Sequence, residues 1–192
     1  MRCNMTVPSK KPTMRACIVS PKGFMKIRQL SLVALAIAIL LALGLWLTQF
    51  KPVKAPEVHF KTLTGEQFSM HDLQGKMVLV NFWATSCAAC LDDMPKLIET
   101  QNRFKARGFE TVAVAMDYDP PNRVLDYAQR AKLPFKVSLD IDGAVAKAFG
   151  NVRLTPSSVL IDKHGRVIRR FLGEPDFAQL DALLDRKLKD PV

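Results

Sequence analysis

The chain has 192 residues, 48% of them hydrophobic, which suits one ordinary domain plus an appendage and excludes global disorder. Its net charge of +10 suggests nucleic acid until it is located: nine basic residues (Arg2, Lys10, Lys11, Arg15, Lys22, Lys26, Arg28, Lys51 and Lys54) precede Glu57, and no acid does. The remainder sets 19 basic residues against all 18 acids, so the basic excess reads as a membrane-topology signal and no nucleic-acid partner is expected.

Residues 1–29 are polar and basic, with Pro8, Pro12 and Pro21 spread among them, and are expected to be disordered. Residues 30–47 follow without a charge. As a helix they would span ~27 Å, about the hydrocarbon thickness of a bilayer. Trp46 sits at the far end, where an amphipathic ring prefers the headgroup level, and Lys22, Lys26 and Arg28 flank the near end. The expectation is an uncleaved signal-anchor in a bacterial inner membrane, single-pass, with the C-terminal part in the periplasm. Ala42-Leu43-Gly44 offers the competing reading of a cleaved signal peptide, which exports the same domain. Residues 48–56 contain Lys51-Pro52-Val53-Lys54-Ala55-Pro56, a short stiff linker.

The domain proper is expected over 57–192. Residues 58–62 and 66–69, split by Thr64-Gly65, read as a hairpin, and 72–76 as a turn. The apolar run 77–83 reads as a buried central strand. A helix is expected from about Cys87 to Arg107, with Leu91, Met94, Leu97, Ile98 and Phe104 on one stripe, ended by Gly108 and kinked at Pro95. Then come a strand at 111–116, a helix at 123–133, a strand at 135–139 and a short helix at 144–149. Strands at 158–161 and 167–171 form a hairpin across Asp162-Lys163-His164-Gly165, and a terminal helix covers 177–188. This order implies an α/β fold: a mixed central sheet with helices on both faces, preceded by the one transmembrane helix. Arg169-Arg170 reads as a solvated strand edge.

Of the four cysteines, Cys3 and Cys17 precede the apolar segment, whereas Cys87 and Cys90 stand alone in the domain. A disulfide framework would want more cysteines spread through the fold, so the C-x-x-C pair points to redox chemistry. The thiolate is the attacking species, and free N–H groups and the helix dipole at a helix start favour it at Cys87. Cys90, one turn on, is placed to attack a mixed disulfide and release the partner. Zinc would need two more ligands, and His59, His71 and His164 are scattered singly, so no metal is expected. Covalent haem needs His where Leu91 stands, and no cofactor is expected. A structural bridge over so short a loop would stabilise little.

The run Val80-Asn81-Phe82-Trp83-Ala84-Thr85-Ser86-Cys87-Ala88-Ala89-Cys90-Leu91-Asp92-Asp93-Met94-Pro95 resembles the active-site segment of the TlpA/ResA-like branch of thioredoxins. Arg153-Leu154-Thr155-Pro156-Ser157-Ser158-Val159-Leu160-Ile161-Asp162 resembles that family's cis-proline segment and the strand after it. The stretch from Phe60 through Gly65-Glu66 to Gly75-Lys76 also fits. The resemblance implies a thioredoxin-like fold and an exported, anchored protein-disulfide oxidoreductase acting on exported protein thiols and disulfides. Many members are reductants fed by a transmembrane thiol carrier, and some serve cytochrome c maturation. It also implies that the Thr155–Pro156 bond is cis and faces the cysteine pair, where neighbouring backbone can pair with an extended substrate.

Several positions depart from the family. Ser86 stands where Trp is common, Ala88-Ala89 where the dipeptide often holds Pro, and Asp93 where Glu is usual. Leu154-Thr155-Pro156-Ser157 departs from the Gly-Ala-Pro-Glu type of cytochrome-c-dedicated members. These positions tune redox poise, so a periplasmic disulfide reductase and an exported oxidant are both compatible with the pair. A copper-delivery protein on this fold would, by resemblance, need a C-x-x-x-C pair and a distant His. A peroxidase would need Thr at Ala84.

Asp93 lies at i+3 from Cys90, where a shielded carboxyl would have a raised pKa and could take up the Cys90 proton. The alternative is a solvated acid like Asp92. Trp83 is read either as a shield touching the disulfide and substrate or as core.

Overall fold

The computed structural model describes residues 35, 37–45 and 53–190. The expected basic segment 1–29 and part of the expected 30–47 span lie outside the described residues. Residues 37–45 are helical. Among the described residues no helix is long and apolar enough to cross a membrane. The helical stretch belongs to one unit, residues 1–51, and the α/β domain to another, residues 52–192.

The domain is organised by β3 (Met77–Trp83), whose seven residues are all buried. A strand buried on both faces needs apolar side chains on both, which is why the run is continuous rather than alternating. β3 pairs in parallel with β4 (Phe109–Ala115) and antiparallel with β6 (Ser157–Ile161). β5 (Lys136–Leu139) adds in parallel outside β4, and β7 (Val167–Leu172) antiparallel outside β6, giving the order β5-β4-β3-β6-β7. A separate hairpin, β1 (His59–Lys61) and β2 (Gln67–Ser69), reaches β5 through a bridge from Thr62 to Ser138.

Met77, Leu79 and Trp83 of β3 pack with Met94, Leu97 and Phe104 of α1 (Ala88–Phe104), with Val124 of α2 (Pro121–Ala131), and with Leu180 and Leu184 of α4 (Phe177–Lys187). Val78, Val80 and Phe82 face the other way, onto Val145 of α3 (Ala144–Ala148), Phe149 and the hairpin residues Phe60 and Phe68. Helices thus cover both faces as expected, with the hairpin sharing the second one.

Most boundaries fall within two residues of the expected ones. The second helix starts at Pro121 rather than 123, because Pro120 is its N-cap and Pro121 its first residue, where the missing N–H costs nothing. Pro95 lies inside α1, which continues past it to Phe104. Arg169 and Arg170 are both exposed on β7, an edge strand, as expected. Arg170 also donates from a guanidinium NH to the Phe149 carbonyl, 2.7 Å away, at the end of α3.

Candidate active site

The cysteine pair arises where β3 passes into α1. Cys87 is the N-cap, with extended backbone, and its Sγ accepts from the Cys90 N–H at 3.2 Å. Cys87 and Cys90 form a disulfide with Cα atoms 5.2 Å apart. Cys87 is half-buried, whereas Cys90 is 1% exposed and belongs to the core with Met94 and Leu97. The accessible sulfur therefore sits against the unpaired N–H groups and the positive dipole end of α1, both of which favour a thiolate.

The turn before Cys87 is pinned from the neighbouring strand. Thr85 donates its backbone N–H to Asp119 Oδ2 at 2.6 Å and its hydroxyl to Oδ1 at 2.5 Å. Asp119 is 4% exposed and lies in the loop after β4. The sequence reading missed this residue. Its signal was the turn Asp117-Tyr118-Asp119-Pro120-Pro121 at the carboxyl end of the strand that runs parallel to β3, since parallel strands gather those ends together.

Thr155 and Pro156 reach the same end by the antiparallel register, in which Ser157 of β6 lies opposite Phe82 of β3. The Thr155–Pro156 bond is cis. Pro156 is buried and its carbonyl accepts from Gly173 N–H at 2.8 Å. Thr155 is half-buried, with Oγ1 3.3 Å from the Tyr118 hydroxyl, so the loops after β4 and before β6 touch. Leu154 and Leu172 remain largely exposed beside this loop. Trp83 has no exposed surface and stacks obliquely on Tyr127, with ring centroids 5.4 Å apart. It underlies the pair as core and does not present a face to a partner in this structure.

Asp93 is buried on the Cys90 side of α1, unlike the exposed Asp92. Burial pushes its carboxyl up to about 6, the Glu174 charge adds to this, and Lys96 opposes it. An acid with that affinity for protons exchanges them near neutral pH. Among the described residues no group of three or more His, Cys, Asp or Glu could hold a metal.

The Redoxin family model matches residues 51–184. A thiol-disulfide oxidoreductase ResA of Bacillus thuringiensis subsp. konkukian (strain 97-27) is 34% identical over 133 residues, covering 69% of this chain and 76% of that protein. Among solved structures, a thioredoxin candidate from Neisseria meningitidis is 42% identical with a TM-score of 0.67, covering 72% of this chain and 92% of that one. A thiol:disulfide interchange protein of the thioredoxin family from Chlorobium tepidum TLS is 28% identical with a TM-score of 0.66, covering 72% and 97%. The chain belongs to the Redoxin family, in its TlpA/ResA-like branch of thioredoxin-fold proteins.

Proposed function

We propose that this chain is a thiol–disulfide oxidoreductase that reduces disulfides of exported proteins through Cys87 and Cys90. The observation that carries this is the asymmetry of the pair: one sulfur at a helix N-terminus within reach of a partner, the other buried one turn behind it. The Cys87 thiolate attacks a partner disulfide, and one partner sulfur leaves as a thiolate that takes a proton from water. Cys90 then gives its proton to Asp93 and attacks Cys87 Sγ, expelling the second partner sulfur, which is protonated. The partner gains two electrons and two protons, and the protein is left with the Cys87–Cys90 disulfide. Thr155 and Pro156 line the approach and hold an extended partner segment. Reduced full-length protein treated with limiting iodoacetamide is expected to carry more adduct on Cys87 than on Cys90. Preferential alkylation of Cys90 would reverse the roles.

We infer further that residues 30–47 anchor the chain in the inner membrane and leave the domain in the periplasm, where a transmembrane thiol carrier returns electrons to the pair. The apolar run and its basic flank at Lys22, Lys26 and Arg28 support this orientation. Alkaline phosphatase fused after residue 192 is expected to be active in a bacterial host. An inactive fusion made in normal amounts would contradict the topology.

A further inference from the structure

Lys96 and Glu174, two charged residues beside Asp93, have no part in the steps above. Asp93 is 2% exposed, and its Oδ2 has no hydrogen-bond partner among the described residues. Lys96 Nζ stands 3.9 Å from Asp93 Oδ1 and donates a hydrogen bond to Glu174 Oε1. The same ammonium lies 5.6 Å from the centroid of the Phe177 ring, so it is flanked on a third side. Lys96 and Glu174 are each about half exposed. They come from different elements: Lys96 is one turn along α1 from Asp93, and Glu174 sits in the loop between β7 and α4.

An exposed ion pair of this kind contributes little to stability. Its position over a buried carboxyl gives it a second effect, because one ammonium serves two carboxylates. Held toward Glu174, it leaves Asp93 without its counter-charge and turns a negative neighbour on it. Held toward Asp93, it favours the anion there. We propose that Lys96 and Glu174 are positioning residues that form a charge-sharing gate over Asp93, in which the division of the ammonium between the two carboxylates governs proton exchange between Asp93 and Cys90. This rests on the reading of Asp93 as the proton acceptor for Cys90.

The charged groups that face Asp93 are Asp92 and Lys96 from its own helix and Glu174 from the β7–α4 loop. Burial raises the Asp93 carboxyl most. Glu174 and Asp92 raise it further, and Lys96 alone among them lowers it. Lys96 in turn holds the Glu174 carboxyl below its ordinary value. Removing the two outer charges one at a time must therefore move Asp93 in opposite directions.

The test uses full-length oxidised protein in detergent micelles, labelled with ¹³Cγ-aspartate, with the Asp93 resonance assigned by its loss in Asp93→Asn. The wild-type midpoint is expected at about 6. Glu174→Gln should move it lower and Lys96→Gln higher, and the double variant should return it toward the wild-type value. With the reduced protein, the acid limb of the pH profile for insulin reduction should shift in the same two directions. Both side chains are half exposed, so the variants should fold, and thermal unfolding checks that. Shifts of one sign, or no shift, would overturn the gate while leaving Asp93 as proton acceptor. A pH profile unchanged in Asp93→Asn would overturn the underlying reading, and the gate with it, whatever the outer variants do.

Discussion

Replacing Cys90 with Ser is expected to turn the protein from a catalyst into a trap. Cys87 remains half-exposed at the start of α1, so its thiolate still attacks a partner disulfide. The resolving sulfur, normally on a Cα only 5.2 Å from that of Cys87, is gone. Well-oriented intramolecular groups act at effective concentrations up to about 10⁵ M or more, which millimolar external thiol cannot approach. Turnover should fall at least about a thousandfold, and a covalent adduct with the partner should accumulate on non-reducing gels. Cys87→Ser should lose turnover and adduct together, because the remaining Cys90 is 1% exposed. Sustained turnover in Cys90→Ser, with no adduct, would contradict the division of roles.

Asp93→Asn is expected to slow resolution and stabilise the fold. The Asp93 carboxyl is raised by burial from its ordinary 3.8 to about 6 in the folded protein. Between those values the folded state holds a proton that the unfolded chain has released. Stability therefore falls as pH rises through this window and stays lower above it. Allowing for screening by the exposed Lys96 and Glu174, the loss at neutral pH is on the order of 2 kcal/mol. Asn keeps the size and removes the ionisation, so the oxidised variant should unfold about 5 °C higher at pH 7 and show no gain or loss across pH 4–6 from this site. The same change deprives Cys90 of its proton acceptor, and insulin reduction should slow about a hundredfold. Equal melting temperatures and equal rates at pH 7 would make Asp93 an ordinary helical acid.

The two expectations place the buried half of the site in conflict with the fold. A carboxyl at 2% exposure with an unpartnered oxygen costs stability, and that cost sits one helical turn from the sulfur that must lose a proton. A buried carboxyl of this kind is the group that the proposed proton exchange needs.

What was legible in the sequence was local or periodic. The run 77–83 read as a buried central strand, since six of its seven residues are apolar, only Asn81 is polar, and seven residues suit a strand better than a helix. The C-x-x-C spacing at a strand-to-helix junction placed one sulfur at the helix cap and the other a turn inside it. Asp93 was placed beside Cys90 because i+3 on a helix is a fixed geometry. Trp83 stayed undecided until its burial was seen, because an aromatic at a strand end fits a core or a rim equally well. Thr85 and Asp119 are 34 residues apart, and Lys96 and Glu174 are 78 apart. The turn around Asp119 marks a strand end without naming its partner, and nothing near Lys96 or Glu174 in the sequence points to the other. The strand order β5-β4-β3-β6-β7 brings the ends of β3 and β4 together and returns the β7–α4 loop beside α1, and contacts of that kind exist only once the whole sheet has formed.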